Sequence, residues 1–271
     1  MMKINLPEHN YIMKDLKSKG FCIIKNCVSN EFISSQRSRW IPKFIKKNVD
    51  KKFVRGNLIL GEMNFLSYSE INAWCMYRNF EFLWNKTDDE EAMELHLEIH
   101  KFRNKMQGFD PNFGLHYNDT NYGIYISTSY YPLNIGKLLA HADGHKDVPI
   151  IHYMLPFTFK GKDYHEGGLF IEDTSGETVD LDSLVEPGDV IFFDGRRRHW
   201  VDIIKSKESN SLGRLAVFAI PTHFVPDSTY QGFKRSITIN IREFNSHVSN
   251  DKRVEQIIVP LGDGMTVCRV L

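Results

Sequence analysis

A mainly β chain with helices in its N-terminal part is what the sequence predicts, and three observations carry that reading. Up to about residue 110 the apolar residues recur at helical spacing. After Pro111 the texture changes, and Tyr122-Gly123-Ile124-Tyr125-Ile126-Ser127-Thr128-Ser129-Tyr130 alternates and is rich in β-formers. Many short apolar runs then follow one another with Gly and Pro turns between them, the pattern of a sandwich or barrel.

In chain order, residues 10–19 read as a helix ended by Gly20, and Phe21-Cys22-Ile23-Ile24 as a short strand. Ser29 reads as an N-cap, with Phe32, Ile33, Arg37 and Trp40 at helical spacing after it. Ser67 and Glu70 form a capping box that predicts a helix through Ile71, Trp74 and Cys75. Thr87 and Glu90 repeat that signature, followed by the stripe Leu95, Ile99, Phe102 and Met106. His96 and His100 share this helix, and without a third ligand they read as ordinary surface or core residues. Strands are expected near 136–142, 148–155, 168–172, 189–194, 199–204, 213–220 and 235–243. With no low-complexity linker and no repeat, residues 1–271 read as a single domain. It comprises a helical part (about 1–110), a β-barrel core (about 120–243) and a C-terminal extension (244–271).

Composition narrows the function classes. Lys plus Arg number 34 and Asp plus Glu number 34, so net charge gives no case for nucleic acid or an anionic membrane as partner. The basic run from Lys43 to Lys52 reads as a solvated helix end. Four scattered cysteines without a CxxC pair read as reduced thiols. With no signal-peptide core and no membrane-length apolar run, the expected location is the cytoplasm.

The chemistry concentrates between His141 and Arg214. His141 and Asp143 stand two apart after the apolar run Leu138-Leu139-Ala140, so on a strand they point the same way. His199, from a later strand, can complete a facial triad of two imidazoles and one carboxylate, the arrangement that leaves positions open on an oxygen-activating Fe(II). His145-Lys146-Asp147 is a second HxD. The first pair is preferred because an apolar strand leads straight into it, while His145 follows Gly144 in what reads as a loop.

The ordered set is HxD, Gly167-Gly168, the Pro187-Gly188-Asp189 turn into Val190-Ile191-Phe192-Phe193, then His199, then Arg214 opening the next strand. In this it resembles the Fe(II)/2-oxoglutarate-dependent oxygenase superfamily. Gly20-Phe21-Cys22-Ile23-Ile24-Lys25 is similar to the entry of its phytanoyl-CoA-hydroxylase-like and related small-molecule branches. The resemblance covers residues 120–243 and, loosely, the first forty or so. It implies a double-stranded β-helix (jelly-roll, cupin-like) core, with iron held by His141, Asp143 and His199. It also implies 2-oxoglutarate as co-substrate and O2 as oxidant. The far carboxylate of 2-oxoglutarate needs a fixed cation, which an Arg fork matches. The family motif assigns that cation to Arg214, with Arg235 as fallback. Tyr125, Ser127 and Thr128 on the preceding strand are candidates for a hydrogen bond to the co-substrate.

Retention of Asp143 favours oxygen insertion over halogenation, so the expected activity is hydroxylation of a small molecule such as an amino acid, sugar or natural-product intermediate, with release of succinate and CO2. The alternatives are a protein or nucleic-acid hydroxylase of the same superfamily, or a non-redox cupin-like isomerase or binding protein. Arg196-Arg197-Arg198, beside the expected barrel mouth, reads as an exposed turn paired with Asp194 or Asp202, or else as a contact for an anionic substrate. His152 reads as a satisfied core histidine and Trp200 as core packing.

Overall fold

A computed structural model describes residues 4–45, 64–67, 74–83, 87–113, 115, 124–143, 151–221, 247–251, 253–259 and 265–270. Helix α1 (His9–Lys19) ends at Gly20, whose φ of 85° is a left-handed cap that glycine adopts without strain. Strand β1 (Phe21–Ile24) follows, then helix α2 (Asn30–Ile45), where the Phe32 amide donates to Ser29 Oγ at 3.2 Å as the cap predicts. Helix α3 (Glu90–Met106) buries Leu95, Ile99 and Met106. Its cap is Asp89, whose carboxylate accepts from the Ala92 amide; Thr87 lies one step further out and accepts from the Asp89 amide.

Between α2 and α3 the structure departs from expectation. Trp74 and Cys75, expected at the end of a helix from Ser67, form strand β3 (Trp74–Cys75), between β2 (Asn64–Ser67) and β4 (Tyr77–Phe82), while residues 68–73 of the expected helix lie outside the described residues. The segment is rich in aromatic residues, which fit a pleated surface. Pairing of β4 along the neighbouring strand outweighs a local capping signal. The part expected to be helical therefore contributes four strands to the sheets.

The core comprises β5 (Ile124–Tyr131), β6 (Lys137–His141), β7 (Ile151–Pro156), β8 (Glu166–Glu172), β9 (Thr178–Asp180), β10 (Val190–Asp194), β11 (His199–Lys205) and β12 (Arg214–Pro221). They form two antiparallel sheets, ordered β1-β10-β7-β12-β5-β4-β2 and β3-β6-β11-β8-β9. Consecutive strands alternate between the sheets from β5 to β8 and from β9 to β12, which makes this a jelly roll. A hairpin of β13 (Val254–Val259) and β14 (Met265–Val270) follows.

Period-two alternation sorts the large sheet's side chains. Ile126, Tyr153, Leu155, Phe192, Val217 and Ala219 pack outward under the three helices. Tyr131, Met154, Ile191, Phe193, Ala216 and Phe218 face inward, against Leu169, Ile171 and Val201 of the small sheet. No helix among the described residues is long and apolar enough to cross a membrane.

Candidate metal centre

His141 ends β6 and His199 begins β11, and antiparallel pairing sets the two directly opposite each other. Their rings stand 4.4 Å apart between centroids. Asp143 follows β6 by two residues and is held there by its amide, which donates to the Gly195 carbonyl at 2.7 Å. Asp143 Oδ2 lies 3.8 Å from His141 Nε2 and 3.6 Å from His199 Nε2. These three residues form a cluster whose ligand atoms lie within 4.8 Å of one another. The site opens to solvent on one side: Asp143 is 37% exposed and His199 only 6%.

Hydrogen bonding fixes the imidazoles. His141 Nδ1 is 2.8 Å from the Leu139 carbonyl and His199 Nδ1 is 2.8 Å from the Arg197 carbonyl. A carbonyl only accepts, so each Nδ1 carries the hydrogen, and the tautomer this fixes leaves Nε2 as the lone-pair nitrogen toward Asp143. Two lone pairs facing a carboxylate repel unless a cation lies between them. Carbonyl-anchored imidazoles with free Nε2 atoms are also how metal-ligating histidines are oriented. The residues therefore fit a divalent metal. Burial holds His141 below the ordinary imidazole range, with His199 adding to the effect. Burial pushes Asp143 upward, but the imidazoles gathered around it outweigh that and hold the carboxyl at about 2. Both ligands are thus in their metal-binding forms at neutral pH.

His152, read from the sequence as a satisfied core residue, belongs to this centre. It alternates inward on β7 with Met154, is buried, and places Nε2 3.6 Å from Asp143 Oδ2, with no hydrogen bond to that nitrogen among the described residues. Its ring stacks on Phe193 at 5.1 Å. Gly195 closes over it: a Cβ there would sit 2.1 Å from His152 Nε2, so only glycine fits. The inward register with Met154 was the available signal.

Arg214 is placed elsewhere. It is buried at the far end of β12, where Nε donates to Asp182 Oδ2 at 2.6 Å and Nη2 to Oδ1 at 3.1 Å. It is neither in the triad nor on the surface. Ser127 faces the barrel interior and shares a 3.0 Å hydrogen bond with Ser129, while Thr128 alternates to the helix side. Tyr125 pairs through its backbone with Ile220 and Phe82, and its side chain lies outside the described residues. Arg235, His145, Asp147 and the strand expected at 235–243 also lie outside them.

Near the mouth, Arg196 forks onto Asp194, Arg197 donates to the Asp173 carbonyl and Arg198 pairs with Glu172 at 3.0 Å. Trp200 stacks on Phe170. His96 and His100 are buried on α3, His96 against the Tyr153 hydroxyl and His100 against Arg103 and the Phe113 carbonyl.

Solved structures share this architecture. A Pseudomonas putida prolyl-4-hydroxylase superposes with a TM-score of 0.53 at 14% identity, over 80% of this chain and 100% of that one. A protein from Caulobacter crescentus assigned to the 2OG-Fe(II) oxygenase family gives 0.50 at 11% identity, over 87% and 93%. The fold is that of the 2OG-Fe(II) oxygenases. The epimerase SnoN, solved with Fe3+ and alpha ketoglutarate, gives 0.52 at 8% identity, over 78% and 82%. No curated protein matches the sequence significantly. A family model for an O-methyltransferase matches residues 179–271. Within that stretch β9 and β11 lie in one sheet of the jelly roll and β10 and β12 in the other, all paired antiparallel.

Proposed function

We propose that the protein is an Fe(II)- and 2-oxoglutarate-dependent dioxygenase that hydroxylates a small molecule, such as an amino acid, sugar or natural-product intermediate. The observation that carries this reading is the pair of carbonyl-locked imidazoles presenting bare Nε2 atoms to Asp143 at the half-open end of a jelly roll. Iron and 2-oxoglutarate bound there supply O2 activation, with succinate and CO2 as co-products. His141, Asp143 and His199 would hold the metal. Two neutral imidazoles and one carboxylate cancel only one of its two charges, so the centre favours an anionic chelator.

The rest of the chain shapes access. Asp143 and His141 border solvent, so substrate approaches from their side, while Phe193 and His152 wall the opposite side and keep it dry. Equal numbers of acidic and basic residues support a small-molecule substrate over nucleic acid.

The test is conversion of 2-oxoglutarate to succinate by the Fe(II)-reconstituted protein in air, followed by a screen for small molecules that accelerate it. Succinate formation that requires Fe(II) and disappears in Asp143→Ala is the expected result. Stoichiometric metal binding without any 2-oxoglutarate consumption would favour the non-redox, cupin-like reading.

A further inference from the structure

We propose that Arg78, on β4 outside the eight jelly-roll strands, is the cation that fixes the far carboxylate of 2-oxoglutarate. The inference rests on the co-substrate reading above and departs from the position that the family resemblance assigns, Arg214.

Register decides which arginine can reach. On β12 the described inward positions are Arg214, Ala216 and Phe218. Ala219 pairs with Tyr153, so residue 220 is level with His152 and hence with the triad. Arg214 is six residues below that level, about 20 Å along the strand. Its fork is also held by Asp182.

Arg78 stands closer. Tyr77 packs outward on Tyr130 and Met76 lies in the inner core, so alternation turns Arg78 inward. Arg78 pairs with Ser129, and Ser129 pairs with Ala216. It therefore starts about 13 Å below the triad level, a gap that an extended arginine and a metal-chelating five-carbon dicarboxylate together bridge. The two inward neighbours at its level are small, which leaves room for a guanidinium to extend along the barrel. Its charge acts on the inward Tyr131, as expected of a group on the same face of the neighbouring strands. Tyr131 adds a buried hydroxyl that has no hydrogen-bond partner among the described residues and faces the same interior. A planar fork beside a phenol is suited to a carboxylate.

The test is calorimetry on the full-length protein loaded with Mn(II) and kept anaerobic, using two probes. 2-Oxoglutarate carries the far carboxylate, and 2-oxopentanoate has the same chelating head with a methyl in its place. Wild type should prefer 2-oxoglutarate by about 30-fold, the ratio expected for one charged hydrogen-bonded contact. Arg78→Met should erase that preference while leaving 2-oxopentanoate affinity within about three-fold. A preference retained in Arg78→Met overturns the proposal, as does wild type that binds Mn(II) and both acids equally. Failure of wild type to bind Mn(II) removes the metal reading itself, and this assignment falls with it. Should Arg78→Met not fold, wild-type protein treated with phenylglyoxal gives the answer by peptide mass. Mn(II) with 2-oxoglutarate should protect Arg78 and Mn(II) with 2-oxopentanoate should not; equal modification under both conditions overturns the assignment.

Discussion

Asp143 and Asp182 are two carboxylates at opposite ends of one barrel, and the structure treats them in opposite ways. Asp182 is sealed. Its Oδ2 accepts from Arg214 Nε, from the Tyr164 hydroxyl at 2.7 Å and from the Leu169 amide at 2.8 Å, and its Oδ1 accepts from Arg214 Nη2. Burial alone would raise its pKa, but the Arg214 charge wins and holds it below the ordinary carboxylate range. Asp143 has three imidazole nitrogens at 3.6–3.8 Å and stays partly open to solvent. A carboxylate neutralised by its own chain is structural. One facing imidazole nitrogens and open to solvent fits the metal that the proposed function places there.

The contrast can be broken at either end. Asp143→Ala should lower metal affinity by more than about 1000-fold, since a third of the ligand set and its only charge are lost; thermal stability of the metal-free protein should change little. Asp182→Ala should do the reverse, costing about 3–5 kcal/mol of stability by stranding a buried guanidinium. Urea denaturation of the metal-free protein separates these two outcomes. If both variants were equally destabilised, the distinction between the two ends would fail.

His152→Phe sharpens the comparison on the open side. The ring volume against Phe193 is largely kept but the nitrogen beside Asp143 is lost, so metal affinity should fall by about 10–100-fold with the fold intact. A metal titration by calorimetry reads this directly, and unchanged affinity would return His152 to a packing role.

A smaller effect concerns pH. Burial holds His96 down to about 4 from an ordinary 6.5, and His100 lower still. Between those values the unfolded chain takes up protons that the folded chain refuses, so stability should decline as pH falls from 6.5 toward 4. His96→Gln should flatten that slope in melting curves; an unaltered slope would assign the loss to other groups.

The barrel was legible because alternation and turn residues mark its strands, and because His141, Asp143 and His199 sit at strand ends that their apolar runs announce. Trp74 and Cys75 were expected on a helix and lie on a strand, β3. A Ser67–Glu70 capping pattern is local, whereas the pairing of β4 with β5 is a long-range fact that no window of sequence contains. Arg78 was hidden for the same reason, since only the pairing of β4 with β5 turns it toward the barrel. The environment of Arg214 was invisible for a related reason. Asp182 lies 32 residues earlier in a short 3-10 turn, and nothing local ties the two together. His152 needed only its inward register to be taken one step further, to the strand end where the triad lies.

The most direct test of the central claim needs no substrate. Apoprotein mixed anaerobically with Fe(II) and 2-oxoglutarate should develop the visible charge-transfer band of a bidentate keto-acid chelate. That band should be lost in His199→Ala and survive in Arg214→Lys. No band in wild type, together with no 2-oxoglutarate binding to the Mn(II) form, would contradict the account and leave a jelly roll whose histidines serve some other chemistry.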